Sequence, residues 1–254
     1  MDLKNKVAIV TGAGGGIGRA LAMGFSAAGA RVVCVDYRLK AAQDAAAAIE
    51  AAGGAALALE CDVTDVAEVD QMVSRSMDAF GQIDVLFNCA GSFRAIGPVW
   101  EVDPELWWND VTVNLRGTML CCRAVLPHMI ERDSGIVMNM SGGDHLPGGT
   151  GYCASKVGVN RFTELLAKEL KHEKSSVLAF LMGPGFVRTE MTEAQLQTRE
   201  GRKWMPFSQD AIDQGQDRPP EDCAHTAVKL IGLACPELSG RFFDPDTDFE
   251  AEEK

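Results

Sequence analysis

Tyr152 and Lys156 are the residues of this chain best suited to moving a proton. They stand four apart in a stretch of helical character, which brings both side chains onto one helix face. An ammonium beside a phenol favours the phenolate, drawing a pKa that starts near ~10 toward working pH. A phenol tuned in this way can give a proton to a carbonyl oxygen or take one from an alcohol. Alone, such a pair is commonly no more than an exposed helix pair, so its meaning depends on its surroundings.

A second candidate site lies near the N-terminus, in Thr11-Gly12-Ala13-Gly14-Gly15-Gly16-Ile17-Gly18. It follows the apolar run Lys6-Val7-Ala8-Ile9-Val10 and precedes a stretch where Ile17, Leu21, Phe25 and Ala28 recur at helical spacing. Strand, tight turn and helix in that order are where open α/β sheets seat a dinucleotide. Gly12 and Gly16 let the backbone approach a pyrophosphate, Gly18 allows close packing, and the helix N-terminus supplies amide donors. Asp36 ends the next apolar run, Val32-Val33-Cys34-Val35. A carboxylate there binds the ribose hydroxyls of NAD and repels the 2′-phosphate of NADP, so the cofactor expected is NAD. Two other readings stay open: Arg38 as a partner for that phosphate, and Asp36 as the N-cap of the following helix.

The elements that must position these residues follow from the hydrophobic pattern. An alanine-rich helix is expected over 39–52, a third strand around Leu57 and Leu59, and a helix carrying Val66, Val69, Val73, Met77 and Phe80. A fourth strand holds Val85-Leu86-Phe87, and Asp103-Pro104 opens a long helix reaching about Met129. A fifth strand at Ile136-Val137-Met138, a helix over 152–172, a sixth strand at 177–182, a helix over 221–234 and an edge strand at Gly240-Arg241-Phe242-Phe243 complete the series. Strands alternating with helices mean right-handed crossovers and a covered parallel sheet. The expected fold is a single-domain α/β, doubly wound Rossmann-type sheet spanning residues 1–254. Residues 186–218 break the rhythm and read as an inserted substrate lid, and the acidic tail over 244–254 reads as loosely ordered.

Composition narrows the function further. A net charge of −12 and the absence of any Lys/Arg block argue against nucleic acid as a partner. The apolar runs are strand-sized and no signal-peptide pattern opens the chain, which points to a soluble, cytoplasmic protein without a membrane role. The eight cysteines show neither C-x-x-C nor zinc-site spacing and read as small core residues, so no metal is expected.

Taken together, Thr11-Gly12-x-x-x-Gly16-x-Gly18, Asn88-Cys89-Ala90-Gly91, Asn114, Tyr152-x-x-x-Lys156 and Pro184-Gly185 resemble the short-chain dehydrogenase/reductase family in identity, order and spacing, over about residues 5–245. The resemblance implies hydride transfer between NAD(H) and a secondary alcohol or ketone, with Tyr152 handling the proton and Lys156 lowering its pKa and binding the nicotinamide ribose. It implies that Asp62 and Val63 flank the adenine, that Asn88, Ala90 and Gly91 wall the ribose, and that Asn114 bends its helix and holds a relay water. Pro184, Gly185, Val187 and Thr189 would line the nicotinamide end, and a homotetramer is implied. One departure stands out. The family's catalytic serine usually lies about thirteen residues before the tyrosine, whereas Asn139-Met140-Ser141-Gly142-Gly143 puts Ser141 eleven before Tyr152. Either Ser141 supplies the hydroxyl, which is the candidate taken here, or Gly142 occupies the serine's place. Further candidates are His145 near the substrate, Trp100, Trp107 and Trp108 at a contact or pocket, and Met191, Trp204, Met205 and Phe207 in an apolar pocket. The alternatives to an NAD-dependent dehydrogenase are an NADPH-dependent 3-oxoacyl-type reductase and a weakly catalytic NAD(H) sensor.

Overall fold

The computed structural model describes residues 1–252. Its frame alternates as the pattern requires: β1 (Val7–Thr11), α1 (Gly16–Ala27), β2 (Arg31–Asp36), α2 (Leu39–Ala51), β3 (Ala55–Glu60), α3 (Val66–Phe80) and β4 (Val85–Asn88). After α4 (Pro104–Val111) and α5 (Thr118–Glu131) come β5 (Ile136–Met140), α6 (Thr150–His172) and β6 (Leu178–Met182). The strands lie in the order β3-β2-β1-β4-β5-β6-β7, every neighbouring pair parallel. The last, β7, is only Phe242–Phe243.

Alternation along the buried strands feeds two apolar layers, one on each face of the sheet. In β1, Ala8 and Val10 join a cluster with Leu21, Phe25, Ile49 and Phe180, while Val7 and Ile9 join Met72, Val125, Met129 and Leu166 on the other side. The chain leaves β1 for β2 on one side and returns to β4 on the other. That reversal opens a crevice beyond the carboxyl ends of the strands, and all the candidate chemistry sits along it.

Three features depart from the sequence expectation. The long helix after Asp103, whose carboxylate caps it at the amides of Glu105 and Leu106, is interrupted between α4 and α5 by a π-helical turn over Thr112–Gly117. The inserted segment is helical: α7 (Glu190–Gln197), α8 (Arg199–Trp204) and α9 (Pro206–Asp213), followed by α10 (Pro220–Leu233). The residues these three short helices bury are Gln195, Gly201 and Ser208, so they carry no apolar stripe to read. Over its described residues, to 252, the tail is docked: Phe249 is buried and stacks on Phe243 with ring centroids 5.8 Å apart, beneath the Lys229 ammonium, while 253–254 lie outside the described residues. Among the described residues no helix is long and apolar enough to cross a membrane.

Candidate active site

At the first turn of the sheet, Gly12 has φ +69°, and a Cβ there would stand 3.0 Å from Ala90 Cα. Only glycine lets the end of β1 pass so close to the segment after β4. The Thr11 hydroxyl ties the two together, accepting from the amides of Cys89 (3.0 Å) and Ala90 (3.1 Å). Gly18 packs against the Gly12 carbonyl, Ile17 packs on the core, and α1 starts at Gly16 with no side chain capping it. An uncapped helix start in a glycine cradle fits the phosphates of a dinucleotide.

Asp36 is nearly buried at the end of β2. One carboxylate oxygen accepts from the Gly14 amide (3.1 Å), the other from the Arg38 amide (3.0 Å) and Nε (3.4 Å). It does not cap α2, whose N-cap is Arg38 and whose start carries no side-chain cap. The Arg38 guanidinium is shared with Glu190, 3.8 Å away at the start of α7. Asp62 and Val63 follow β3 beside it: the neighbouring Cys61 amide donates to the Asp36 carbonyl, Asp62 turns onto Thr64, and Val63 packs on Gly117.

Not every expected cofactor residue faces the crevice. Asn88 turns inward, its amide donating to Asn139 Oδ1 (2.8 Å) and Cys122 Sγ (3.3 Å). Ala90 and Gly91 border the crevice, Ala90 half-buried and Gly91 exposed. Pro184 and Gly185 lie in the irregular segment after β6, with Gly185 at φ +71° against the Arg218 side chain. Val187 bridges to Arg218, and Thr189 caps α7 while its methyl approaches Gly16.

The proton-handling pair sits in the first two turns of α6. Lys156 is buried, 5.6 Å from the centre of the Tyr152 ring, and donates to the Met140 carbonyl (3.0 Å). Burial lowers its pKa to about 8. Burial also raises the Tyr152 phenol well above its ordinary value, with smaller contributions from Cys153, Cys89 and Asp110. Desolvation thus outweighs the ammonium's pull expected from spacing alone, because Lys156 is turned to a carbonyl and Phe93 covers one face of the half-buried phenol ring.

Ser141 Oγ donates to Asn160 Oδ1 on α6 (2.7 Å) and its amide to the Met182 carbonyl (2.8 Å). Gly142 faces the phenol instead: a Cβ there would overlap the Tyr152 hydroxyl and stand 3.1 Å from Cζ and 3.4 Å from Lys156 Cε. Asn114, in the π-helical turn, accepts from the Ser92 amide (2.7 Å) and donates to the Ser92 carbonyl and Ser155 Oγ (2.9 Å each), joining the segment after β4 to α6.

Around the phenol, Phe93 and Gln195 join residues already among the sequence candidates. Phe93 lies flat on Tyr152, ring centroids 4.2 Å apart and planes 9° apart, with Gln195 of α7 donating to its carbonyl. Trp107 donates to Thr150 and touches Gly151, and Trp204 packs on Gly148. Met205 is buried, whereas Met191 and Phe207 are exposed, as are Trp100, Trp108 and His145, which pairs with Asp144. A polar group at helical spacing before Asn114, namely Asp110, was the available signal for the buried support of this loop.

With this geometry in place the comparisons are unambiguous: the chain belongs to the short-chain dehydrogenase/reductase family, whose short chain dehydrogenase description matches residues 6–200. It is 39% identical over 250 residues to a 3-oxoacyl-[acyl-carrier-protein] reductase of Synechocystis sp., covering 96% of each chain. Among solved structures it resembles a family member from Burkholderia phymatum in complex with NAD (TM-score 0.87, 26% identity, 99% of this chain and 92% of that one). It also resembles a 3-ketoacyl-(acyl-carrier-protein) reductase from Brucella melitensis complexed with NADH (TM-score 0.83, 31% identity, 95% and 97% covered).

Proposed function

We propose that this chain is an NAD(H)-dependent dehydrogenase or reductase interconverting a secondary alcohol and a ketone in the cytoplasm. The observation that carries the reading is the Tyr152–Lys156 pair at the mouth of the same crevice as the glycine turn and Asp36. NAD, when bound, supplies the hydride acceptor and NADH the donor. The phosphates are assigned to the Gly12–Gly18 cradle, the adenosine ribose to Asp36, the adenine to Asp62 and Val63, and the nicotinamide end to Pro184, Gly185, Val187 and Thr189. Two carboxylates, Asp36 and Glu190, share the single Arg38 guanidinium, so the local charge opposes a 2′-phosphate.

In the reducing direction the Tyr152 hydroxyl donates its proton to the substrate oxygen, and in the oxidising direction the phenolate takes it back. Lys156 favours that phenolate when turned toward it and holds the nicotinamide ribose. Asn114 ties the substrate wall to α6. With Gly142 where the family has serine, the phenol alone contacts the substrate oxygen. Phe93 and the nearby Trp107 and Trp204 favour a substrate with an apolar body. Exposed apolar side chains on α4 and α6, among them Leu106, Trp108, Val157 and Leu165, support assembly as a homotetramer.

A 3-oxoacyl substrate is the second reading, favoured by the Synechocystis and Brucella relatives. Turnover of a panel of secondary alcohols, ketones and 3-oxoacyl thioesters with NAD(H) and NADP(H), followed at the nicotinamide absorbance, tests both. NADP(H)-only turnover would overturn the cofactor assignment, and no turnover of any member would overturn the reading as an active dehydrogenase.

A further inference from the structure

Residues 92–95 leave the end of β4 and pass directly over the phenol. Their polar groups are gathered by one helix. Asn109 donates to Ser92 Oγ (3.1 Å), Asn114 takes the Ser92 amide and carbonyl, and the rest converge on Asp110. Its carboxylate accepts from Ser92 Oγ (2.6 Å), from the Arg94 amide at 3.0 Å on both oxygens, and from the Ala95 amide (2.9 Å). Asp110 is fully buried, at 0% exposure.

A carboxylate removed from water is costly unless hydrogen bonds or an opposite charge offset the lost hydration. Here every donor is neutral and every donor belongs to this one segment, so the carboxylate and the loop define each other. Phe93, between Ser92 and Arg94, has its backbone held on both sides by Asp110, and Gln195 adds a bond to its carbonyl from α7. With the backbone so fixed, the Phe93 ring is pressed against Tyr152.

We infer that Asp110 is a positioning residue for the proton-transfer step: by gathering the 92–95 backbone it holds Phe93 flat against Tyr152 and sets the plane in which the phenol meets the substrate oxygen. This rests on the assignment of Tyr152 as the proton-handling group. The charge has a second consequence. The titratable groups facing the phenol are Lys156 and Cys153 on α6, Cys89 after β4, and Asp110 from α4. Burial holds the two thiols in their neutral form, which leaves Asp110 as the standing negative charge opposing the phenolate.

The test compares Asp110→Ala, Asp110→Asn and Phe93→Leu in the full chain. Asparagine keeps an acceptor for the Arg94 and Ala95 amides and can donate to Ser92, so it removes the charge while retaining most of the geometry. Asp110→Ala is expected to speed amide hydrogen exchange at residues 94 and 95 with the rest of the sheet still protected. Its kcat should fall by about a hundredfold with substrate KM and NAD affinity within a few-fold of wild type. Asp110→Asn should recover kcat to within roughly tenfold and move the rising limb of the oxidation pH profile to lower pH. Should Asp110→Ala fail to fold, Phe93→Leu carries the geometric arm: normal exchange at 94 and 95, but kcat lowered by about tenfold. Wild-type kcat in Phe93→Leu, or an Asp110→Asn pH limb that is unmoved or moves up, would overturn the inference. Unchanged exchange in Asp110→Ala would do the same. Absence of turnover in the wild type would instead remove the proposed function, while the exchange measurement still decides whether Asp110 anchors the loop.

Discussion

Adding a single carbon at Gly142 is the sharpest perturbation this site offers. A Cβ there would overlap the Tyr152 hydroxyl and crowd Cζ at 3.1 Å and Lys156 Cε at 3.4 Å, where separations under 3.0 Å essentially never occur for real Cβ atoms. The phenol must therefore retreat, but its ring is backed by Phe93 and its backbone is fixed in α6. The retreat is on the order of 1 Å, and misplacement of that size costs about a hundredfold in rate. Gly142→Ala should thus lose about two orders of magnitude in kcat while NAD affinity by calorimetry and the melting temperature change little. Gly142→Ser introduces the same Cβ together with a hydroxyl of the kind that stabilises developing oxyanion charge, an interaction worth about a hundredfold or more elsewhere. The Ser/Ala ratio of kcat then isolates the hydroxyl from the clash. Near wild-type turnover in Gly142→Ala would show that the phenol does not occupy this space during reaction, and the reasoning would fail.

Five other outcomes follow from the same geometry. Ser141→Ala should leave kcat within a few-fold of wild type and lower stability by about 1 kcal/mol, the ordinary worth of a hydrogen bond such as the one to Asn160, measured by denaturant unfolding. Tyr152→Phe should retain NAD binding and lose nearly all turnover; substantial retained activity would remove the phenol from the mechanism. Asp36→Ala should narrow the preference for NAD(H) over NADP(H) in paired titrations by freeing Arg38 for the phosphate. Because burial lowers Lys156 from 10.5 to about 8, unfolded chains bind the extra proton between those values, so this group's contribution to stability rises with pH across that window and is least below it. An anionic nucleotide favours the ammonium, so calorimetry in buffers of different ionisation heat should show proton uptake on NAD binding above pH 8, lost in Lys156→Met.

How legible was this in the sequence? The sheet was, because β1, β2, β4 and β5 are buried on both faces and read as unbroken apolar runs. The glycine turn and Asp36 were also legible, being local in sequence and fixed by the strand ends. What stayed hidden depends on directions that spacing does not specify. Whether Ser141 or Gly142 faces Tyr152 turns on the register of β5 against β6 and on a partner, Asn160, that only the packing of α6 supplies. Asn88 reads as a crevice residue by motif, yet its side chain points to Asn139 and Cys122 between strands and helix. The helices of the inserted segment bury polar or small residues, and the tail is ordered by Phe249 together with the distant Arg218–Asp246 pair, neither of which a local pattern reveals.

The two halves of the proton-handling pair share one physical condition. Burial moves Tyr152 up and Lys156 down, and each shift favours the uncharged form of its group. Alcohol oxidation is therefore opposed at neutral pH, since burial disfavours the phenolate and the ammonium is turned to the Met140 carbonyl. Two residues deepen that condition: Gly142 adds no hydroxyl beside the phenol, and Asp110 adds a negative charge opposing it. Ketone reduction needs the opposite, a phenol that keeps its proton until the substrate oxygen develops charge; burial supports this, while the hydroxyl missing at Gly142 leaves that oxygen one donor fewer. We therefore expect reduction to prevail at neutral pH, with oxidation rising in alkali as the phenolate becomes accessible. Paired pH profiles of the forward and reverse reactions on one substrate should show reduction level through neutrality and oxidation climbing well above it. An oxidation optimum at or below neutral pH would mean that ligand binding resets the phenol far more strongly than burial, Gly142 and Asp110 together oppose it.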